Sequence, residues 1–257
     1  MIDLHCHMLP GLDDGPRKLA DAVKMARAAV EAGVHTVVAT PHVSETFPNR
    51  AEHIGAVAAA LIVELLRRDI PLNVQTGAEI TITQALDLPD DELAALRLGG
   101  GPYLLVECPL SFERPSAVEA LLFHVRERGH PLVLAHPERS PAFQRDPARL
   151  ARLVDAGMLT SVTASALSGQ FGSRVATFAI ELLRAGLVHD IASDAHDAHR
   201  RSPAILEHLL AAEPRLAGTP LRAEWHARDV PGAILAGRPV DGRAALASHA
   251  PGRHERT

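Results

Sequence analysis

Cysteine is scarce: Cys6 and Cys108 are the only two among 257 residues. That is too few for a disulfide framework, and free thiols in a chain rich in metal-ligand residue types suit a reducing compartment. Lysine is as rare, with Lys18 and Lys24 the only ones and arginine supplying every other cation. Biased base composition accounts for most of that arginine, while phosphate recognition, which suits the guanidinium fork, is reserved for particular positions. The net charge of −5 and the lack of a basic stripe argue against a nucleic-acid partner. No apolar run approaches the roughly 20 residues needed to cross a bilayer. The first residues also lack the basic and apolar regions of a secretory signal. The expectation is a soluble, cytoplasmic protein with no membrane insertion.

What is present is a rhythm. Strand-like runs (Ile2 to His5, Val34 to Ala39, Leu72 to Gly77, Tyr103 to Val106, Leu132 to Ala135, Leu159 to Thr163, Val188 to Ala192) alternate with helical ones. The helical runs are Arg17 to Ala32, Ala51 to Arg68, Asp90 to Leu98, Ser116 to Arg128, Pro147 to Ala156, Val175 to Ala185, Ser202 to Ala212 and Ala227 to Ala236. Gly33, Gly129, Gly157 and Gly186 follow four of the helical runs as stop signals. About seven βα units around parallel strands are implied. The length suits one α/β domain over residues 1–237, and residues 238–257 read as a poorly ordered tail.

Two segments stand out. Asp3-Leu4-His5-Cys6-His7 and Ile191-Ala192-Ser193-Asp194-Ala195-His196 each end an apolar run in two metal-ligand residue types spaced i, i+2. On a strand those two positions share a face. His42, Glu79, Glu107 and His136 likewise fall at or just beyond strand ends, and Asp13 and Asp14 lie in the first loop. In a βα architecture the C-terminal ends of the strands carry the chemistry. Histidine plus carboxylate without dedicated thiolates suits Zn, Mn or Fe rather than a closed structural zinc site. The ligand types outnumber what one ion can use, so two or three ions are expected, with a carboxylate bridging. His35, His53, His124, His130, His189, His208, His226, His249 and His254 read as ordinary core or surface histidines.

With these motifs in hand, the sequence resembles the PHP superfamily (polymerase and histidinol phosphatase domains). Within it, the chain is similar to the bacterial capsular-polysaccharide-type tyrosine-protein phosphatases. The matching segments are DLHCHMLPGLDDGP (Asp3 to Pro16), ATPH (Ala39 to His42), GAEI (Gly77 to Ile80), LLVE (Leu104 to Glu107), AHPER (Ala135 to Arg139), Phe171-Gly172 and IASDAH (Ile191 to His196). Glu107 where other branches carry histidine favours the phosphatase branch. The resemblance implies a distorted (βα)7 TIM-like barrel with a trinuclear centre. It assigns His5, His7, Glu79 and Asp194 to one ion, Glu79, Glu107 and His136 to a second, and Asp14, His42 and His196 to a third. Asp13 is an alternative to Asp14. Manganese is the metal usual in this branch, and the ligands would also hold zinc or iron.

Clustered cations lower the pKa of bound water toward neutrality, which makes a metal-bound hydroxide the expected nucleophile on a phosphomonoester. Arg139, three residues after His136, and Arg201, five after His196, match arginines that the resemblance assigns to phosphate, where a bidentate fork is apt. The implied substrate is protein phosphotyrosine. The implied partner is a membrane-associated tyrosine kinase linked to capsule or exopolysaccharide synthesis.

Rival readings weigh less. Cys108-Pro-Leu-Ser-Phe-Glu-Arg114 has the C-x5-R spacing of cysteine-dependent tyrosine phosphatases. However, it lacks the glycines of a phosphate-cradling loop, Pro109 removes an amide, and Glu113 sets a negative charge beside the arginine. An amidohydrolase would need a bridging lysine on a later strand, and both lysines lie in the first helix. A histidinol or sugar phosphatase would use the same site with a different rim. A catalytically inert scaffold should have lost ligands that this chain retains.

Overall fold

The computed structural model describes residues 1–110, 115–219 and 221–240. Strands and helices alternate along one α/β domain. β1 (Ile2–Cys6) leads to α1 (Leu19–Glu31). β2 (Thr36–Ala39) and β3 (His42–Val43) lead to α2 (Ala51–Arg67). β4 (Asn73–Thr76) and β5 (Glu79–Thr81) lead to α3 (Ile82–Asp87) and α4 (Asp90–Ala95). β6 (Leu104–Glu107) precedes α5 (Pro115–Glu127), and β7 (Leu132–Ala135) precedes α6 (Pro141–Arg145) and α7 (Pro147–Asp155). β8 (Leu159–Thr163) precedes α8 (Ala164–Ser168) and α9 (Ser173–Arg184). β9 (Asp190–Ala192) precedes α10 (Ile205–Ala212) and, after a π-turn at Trp225–Asp229, α11 (Val230–Leu235).

Among the described residues every strand pair is parallel, in a three-stranded sheet ordered β1-β2-β4 and a six-stranded sheet ordered β3-β5-β6-β7-β8-β9. Ala39 faces Thr76, and His42 faces Glu79 in the same offset. Thus β3 and β5 continue β2 and β4 after short breaks at Thr40-Pro41 and Gly77-Ala78. At the other side, Cys6 forms a parallel bridge with Ala195, just past β9. Residues of β2, β7 and β8 are buried throughout, as expected of parallel strands covered on both faces.

The helices earn their places by periodicity. α2 buries Ile54, Ala58, Leu61 and Leu65, one stripe at helical spacing. α1 buries Ala22, Val23, Met25, Ala26 and Ala29. It ends where the Gly33 amide bonds Val30 O and the Val34 amide bonds Ala29 O, with Gly33 at φ 80°, a left-handed cap open to glycine at little cost. A second apolar cluster takes Leu4, Val38, Leu105, Val133 and Leu159 from β1, β2, β6, β7 and β8 and packs them on Val230 and Ile234 of α11.

The structure departs from the sequence-based elements in particulars. Gly77-Ala78 splits the expected 72–77 strand from an extra strand, β5. Pro89 separates α3 from α4, since its ring cannot continue a helix. The expected 202–212 helix starts only at Ile205, after Pro203, and the expected 227–236 helix is part π-turn. Ser111 to Arg114 of the C-x5-R segment and residues 241–257 of the expected tail lie outside the described residues, and the expected 116–128 helix is present as α5, with the Ser116 side chain outside the description.

Candidate metal centre

Glu79 is the hub of the strand-end cluster. It opens β5, directly across from His42 on β3, and is almost fully buried. Its Oε2 has His5 Nε2 at 3.1 Å, His7 Nε2 at 3.2 Å and His42 Nδ1 at 3.1 Å. Its Oε1 lies 2.7 Å from His136 Nε2, which is itself 3.6 Å from Glu107 Oε1. Burial alone would raise the Glu79 carboxyl, but His5 and His136 hold it well below the usual range.

The first loop supplies two aspartates with different positions. Asp13, whose side chain has no exposed surface, lies 2.8 Å from His7 Nδ1 and accepts the amides of Gly15 and His42. Burial pushes its pKa up, and the His7 contact and these amides outweigh that and leave it lowered. Asp14 is about half exposed and faces His196 Nε2 at 3.2 Å and His42 Nε2 at 3.6 Å. The loop presses on the end of β1: a Cβ at Gly15 would sit 2.2 Å from His7 O.

Asp194 divides its oxygens. Oδ1 faces His5 Nε2 at 3.6 Å, His7 Nε2 at 3.5 Å and His196 Nδ1 at 3.7 Å. Oδ2 takes Arg139 Nη1 at 3.1 Å and Arg201 Nη2 at 2.8 Å. Burial opposes ionisation, yet His5, His136 and Arg201 bring its pKa down to about 2. The Arg139 guanidinium also lies 4.8 Å over the Phe171 ring. Asp194 (φ 51°) and His136 (φ 30°) both hold left-handed backbone, which non-glycine residues adopt at a cost and which concentrates at functional sites.

Among the described residues, four groups each bring one ligand atom per residue within 4.8 Å of one another: His5–His7–Asp194, His5–Glu79–His136, His42–Glu79–Glu107 and His7–Asp14–His42–His196. Glu79 Oε2 is buried without a hydrogen-bond partner among the described residues, despite three imidazole nitrogens beside it. His5 and His7 turn Nε2 toward each other at 3.1 Å. Oxygen and nitrogen donors that face a shared point without satisfying one another fit divalent cations that favour imidazole and carboxylate. Beside the cluster a cleft of about 630 Å³ opens between Asp14, Met25, Phe171, His196 and Arg201.

Cys108 is buried, and burial together with neighbouring Glu107 pushes its thiol up to about 12. That is the reverse of an activated nucleophile.

A parallel α/β fold with a buried histidine–carboxylate cluster at the strand ends defines a candidate multinuclear metalloprotein. The chain belongs to the family of capsular polysaccharide synthesis proteins CpsB/CapC, whose model matches residues 1–219. Tyrosine-protein phosphatase YwqE of Bacillus subtilis (strain 168) is 37% identical over 203 residues, 79% of this chain and 80% of the relative. Putative tyrosine-protein phosphatase CapC of Staphylococcus aureus is 32% identical over 212 residues, 81% and 82% of the two chains. A solved structure from work on YwqE from B. subtilis and CpsB from Streptococcus pneumoniae, described as unique metal-dependent tyrosine phosphatases, superposes with TM-score 0.82 at 33% identity, covering 94% of this chain and 97% of that one. A β-aspartyl dipeptidase from Fervidobacterium islandicum shares the fold alone, at TM-score 0.57 and 17% identity over 95% of this chain and 75% of that one.

All nine residues expected as ligands gather in this cluster, and Arg139 and Arg201 reach its rim. The grouping is less partitioned than the resemblance implies. His7 stands with His5 and Asp194 and also with Asp14, His42 and His196, and Glu107 stands with His42 as well as beside His136. Sequence reasoning left Asp13 open as a ligand and did not single out Phe171 as an arginine partner. Only the Asp-Asp-Gly run hinted at the first, since a glycine lets the loop fold back on the strand end.

Proposed function

We propose that this protein is a metal-dependent phosphomonoesterase acting on protein phosphotyrosine, in the setting of capsule or exopolysaccharide synthesis. The observation that carries the reading is the meeting of Asp194 with Arg139 and Arg201 at the edge of a His/Asp/Glu cluster. A phosphate placed there would touch the ion site and both guanidinium groups. The names of the relatives support the same activity.

His5, His7, Asp14, His42, Glu79, Glu107, His136, Asp194 and His196 would hold two to three ions, manganese by preference and zinc or iron as substitutes. Such ions, when bound, lower the pKa of a coordinated water and offset charge on phosphoryl oxygens. The remaining work falls to the chain. Asp13 fixes the orientation of His7 through Nδ1 and leaves Nε2 free to face the centre. Arg139 and Arg201 bind the phosphoryl oxygens as bidentate donors, and Phe171 keeps Arg139 from swinging outward. A tyrosine leaving group departs as a phenolate with a pKa near 10, so little general-acid assistance is needed.

The strand order, the aligned breaks in β2/β3 and β4/β5 and the Cys6–Ala195 bridge support a distorted seven-stranded barrel of the PHP kind, with residues 1–237 as the domain. No helix among the described residues is long and apolar enough to cross a membrane. We place the enzyme in the cytoplasm, facing a membrane-associated tyrosine kinase as its substrate.

Steady-state kinetics on p-nitrophenyl phosphate, a phosphotyrosine peptide and histidinol phosphate test the reading, with metal-stripped and Mn-reconstituted protein. Activity restored by Mn and greatest on the peptide is expected. Preference for histidinol phosphate would move the enzyme to small-molecule substrates. No activity with any of the three, with less than one ion bound per chain, would leave an inert scaffold.

A further inference from the structure

Four of the candidate ligands hang on one seam, where the end of β1 (His5, His7) meets the segment after β9 (Asp194, His196). The backbone stitches this seam through Asp194 N to His5 O and His7 N to Ala195 O, both 2.8 Å. One side chain also spans it. Asp3, fully buried and two residues before His5, accepts the Ser193 amide at 3.0 Å and the His5 amide at 3.3 Å on Oδ1, and the Ser193 hydroxyl at 2.5 Å on Oδ2. Ser193 Oγ in turn accepts the Ala195 amide at 3.1 Å. The amides on either side of Asp194, those of Ser193 and Ala195, are therefore tied directly or through one hydroxyl to a single carboxylate on β1.

We propose that Asp3, acting through Ser193, is the positioning residue that sets the spacing between the His5/His7 pair and the Asp194/His196 pair, and so the affinity of the candidate centre for its ions. The need for such a clip comes from Asp194 itself. Its left-handed backbone at φ 51° is not the conformation an aspartate takes by default, and it persists only where the surroundings over-determine it. Three hydrogen bonds do so here: Ser193 N to Asp3, Asp194 N to His5 O, and Ala195 N to Ser193 Oγ. Asp3 supplies the first and orients the acceptor of the third. Without it, the Asp194 turn keeps only the two backbone bonds of the seam, Asp194 N to His5 O and His7 N to Ala195 O, with Ser193 untethered, and Oδ1 is free to drift from the histidines that it faces at 3.5–3.6 Å. Groups that orient ligands without touching the metal typically change metal affinity by about 10–100-fold.

This inference rests on the metal-centre reading above, and the test separates the two. Mn and Zn affinity and ions per chain are measured for the wild-type chain, Asp3→Ala, Asp3→Asn and Ser193→Ala, with far-UV circular dichroism on each metal-free protein. Wild-type protein that binds no ion would remove the metal-centre reading itself. Given wild-type binding, Asp3→Ala is expected to weaken it about 10-fold or more while the metal-free protein stays folded. Asp3→Asn should recover most of the affinity. Its carbonyl can accept the Ser193 amide, its NH2 can donate to Ser193 Oγ, and the serine hydroxyl can turn to His5 O, which already lies 3.3 Å away. Should Asp3→Ala fail to fold, Ser193→Ala carries the test, with several-fold weaker binding expected. Wild-type affinity in Asp3→Ala, or in Ser193→Ala where that variant carries the test, would overturn the proposal. Equal losses in Asp3→Ala and Asp3→Asn would overturn it too, since only a need for the negative charge would make them alike.

Discussion

Arg201 Nη2 stands 2.8 Å from Asp194 Oδ2, on a carboxylate whose other oxygen faces His5 and His7. Arg139 shares that same Oδ2 at 3.1 Å. One aspartate thus joins the candidate ion site to both candidate phosphate-binding groups. Arg201→Ala is expected to lower kcat/KM on a phosphotyrosine peptide by about 10–100-fold, the range for a lost charge-assisted hydrogen bond. Arg139→Ala should do the same, and the double variant should lose less than the product of the two, because the groups share a partner. Strict multiplicativity in the kinetic cycle would refute the shared role.

Asp13 and Asp14 should separate cleanly. Asp14→Ala removes an oxygen facing His42 and His196, so the expected result is about one ion fewer per chain. Asp13→Asn keeps the shape but disturbs the His7 tautomer, so the ion count at saturating metal should hold while affinity falls about 10-fold or more. Atomic-emission metal counts and competitive titrations read the two outcomes. The same counts should fall by about one ion in His196→Ala and in Asp194→Ala and by about two in the double variant, and a double variant that loses only one would contradict the division between those neighbours.

Cys108→Ser should retain activity within about twofold, and thiol alkylation of the wild-type chain should leave the rate intact, because a thiol raised to about 12 is not a thiolate at neutral pH. Chelation should abolish the rate. The reverse pair of results would restore the C-x5-R reading.

His189 and His226 predict a stability profile. Burial lowers both to about 4. The unfolded chain, with histidine near 6.5, binds protons that these folded histidines refuse. Their contribution to stability is therefore intact above about pH 6.5 and erodes as pH falls toward 4. Urea denaturation of the metal-free protein across that window should show the decline, and His226→Gln should flatten its slope by about one proton. An unchanged slope in the variant would show that His226 titrates normally.

The parallel α/β architecture was readable because helix–glycine–strand punctuation repeats, and the cluster because ligand types fall where apolar runs stop. Period-2 geometry sent His5 and His7 one way without any tertiary knowledge. What stayed hidden was set by contacts distant in sequence. Beyond the hint of its glycine, LDDGP does not say that Asp13 turns inward to His7 while Asp14 turns outward to His196. Asp13 is held inward by His7 Nδ1 and the Gly15 amide and also by the His42 amide, 29 residues away. β3 and β5 were missed because strands of two and three residues, interrupted by Pro41 and Gly77, carry too little periodicity to register. α8 was missed because five residues ended by Gly169 look like loop chemistry. The equivalence of His7 between two ligand groups is likewise a property of the assembled strands.

The left-handed backbone at His136 and Asp194 also bears on how this protein would respond to laboratory evolution. At both positions glycine, and to a lesser degree asparagine, relieves a conformational cost on the order of 1 kcal/mol or more, yet discards an inward-facing donor. Selection for heat resistance in chelator should therefore enrich changes at these two sites, and selection for heat resistance with Mn present should purge them. The same two codons would record, in opposite directions, whether the population had been kept with its metal.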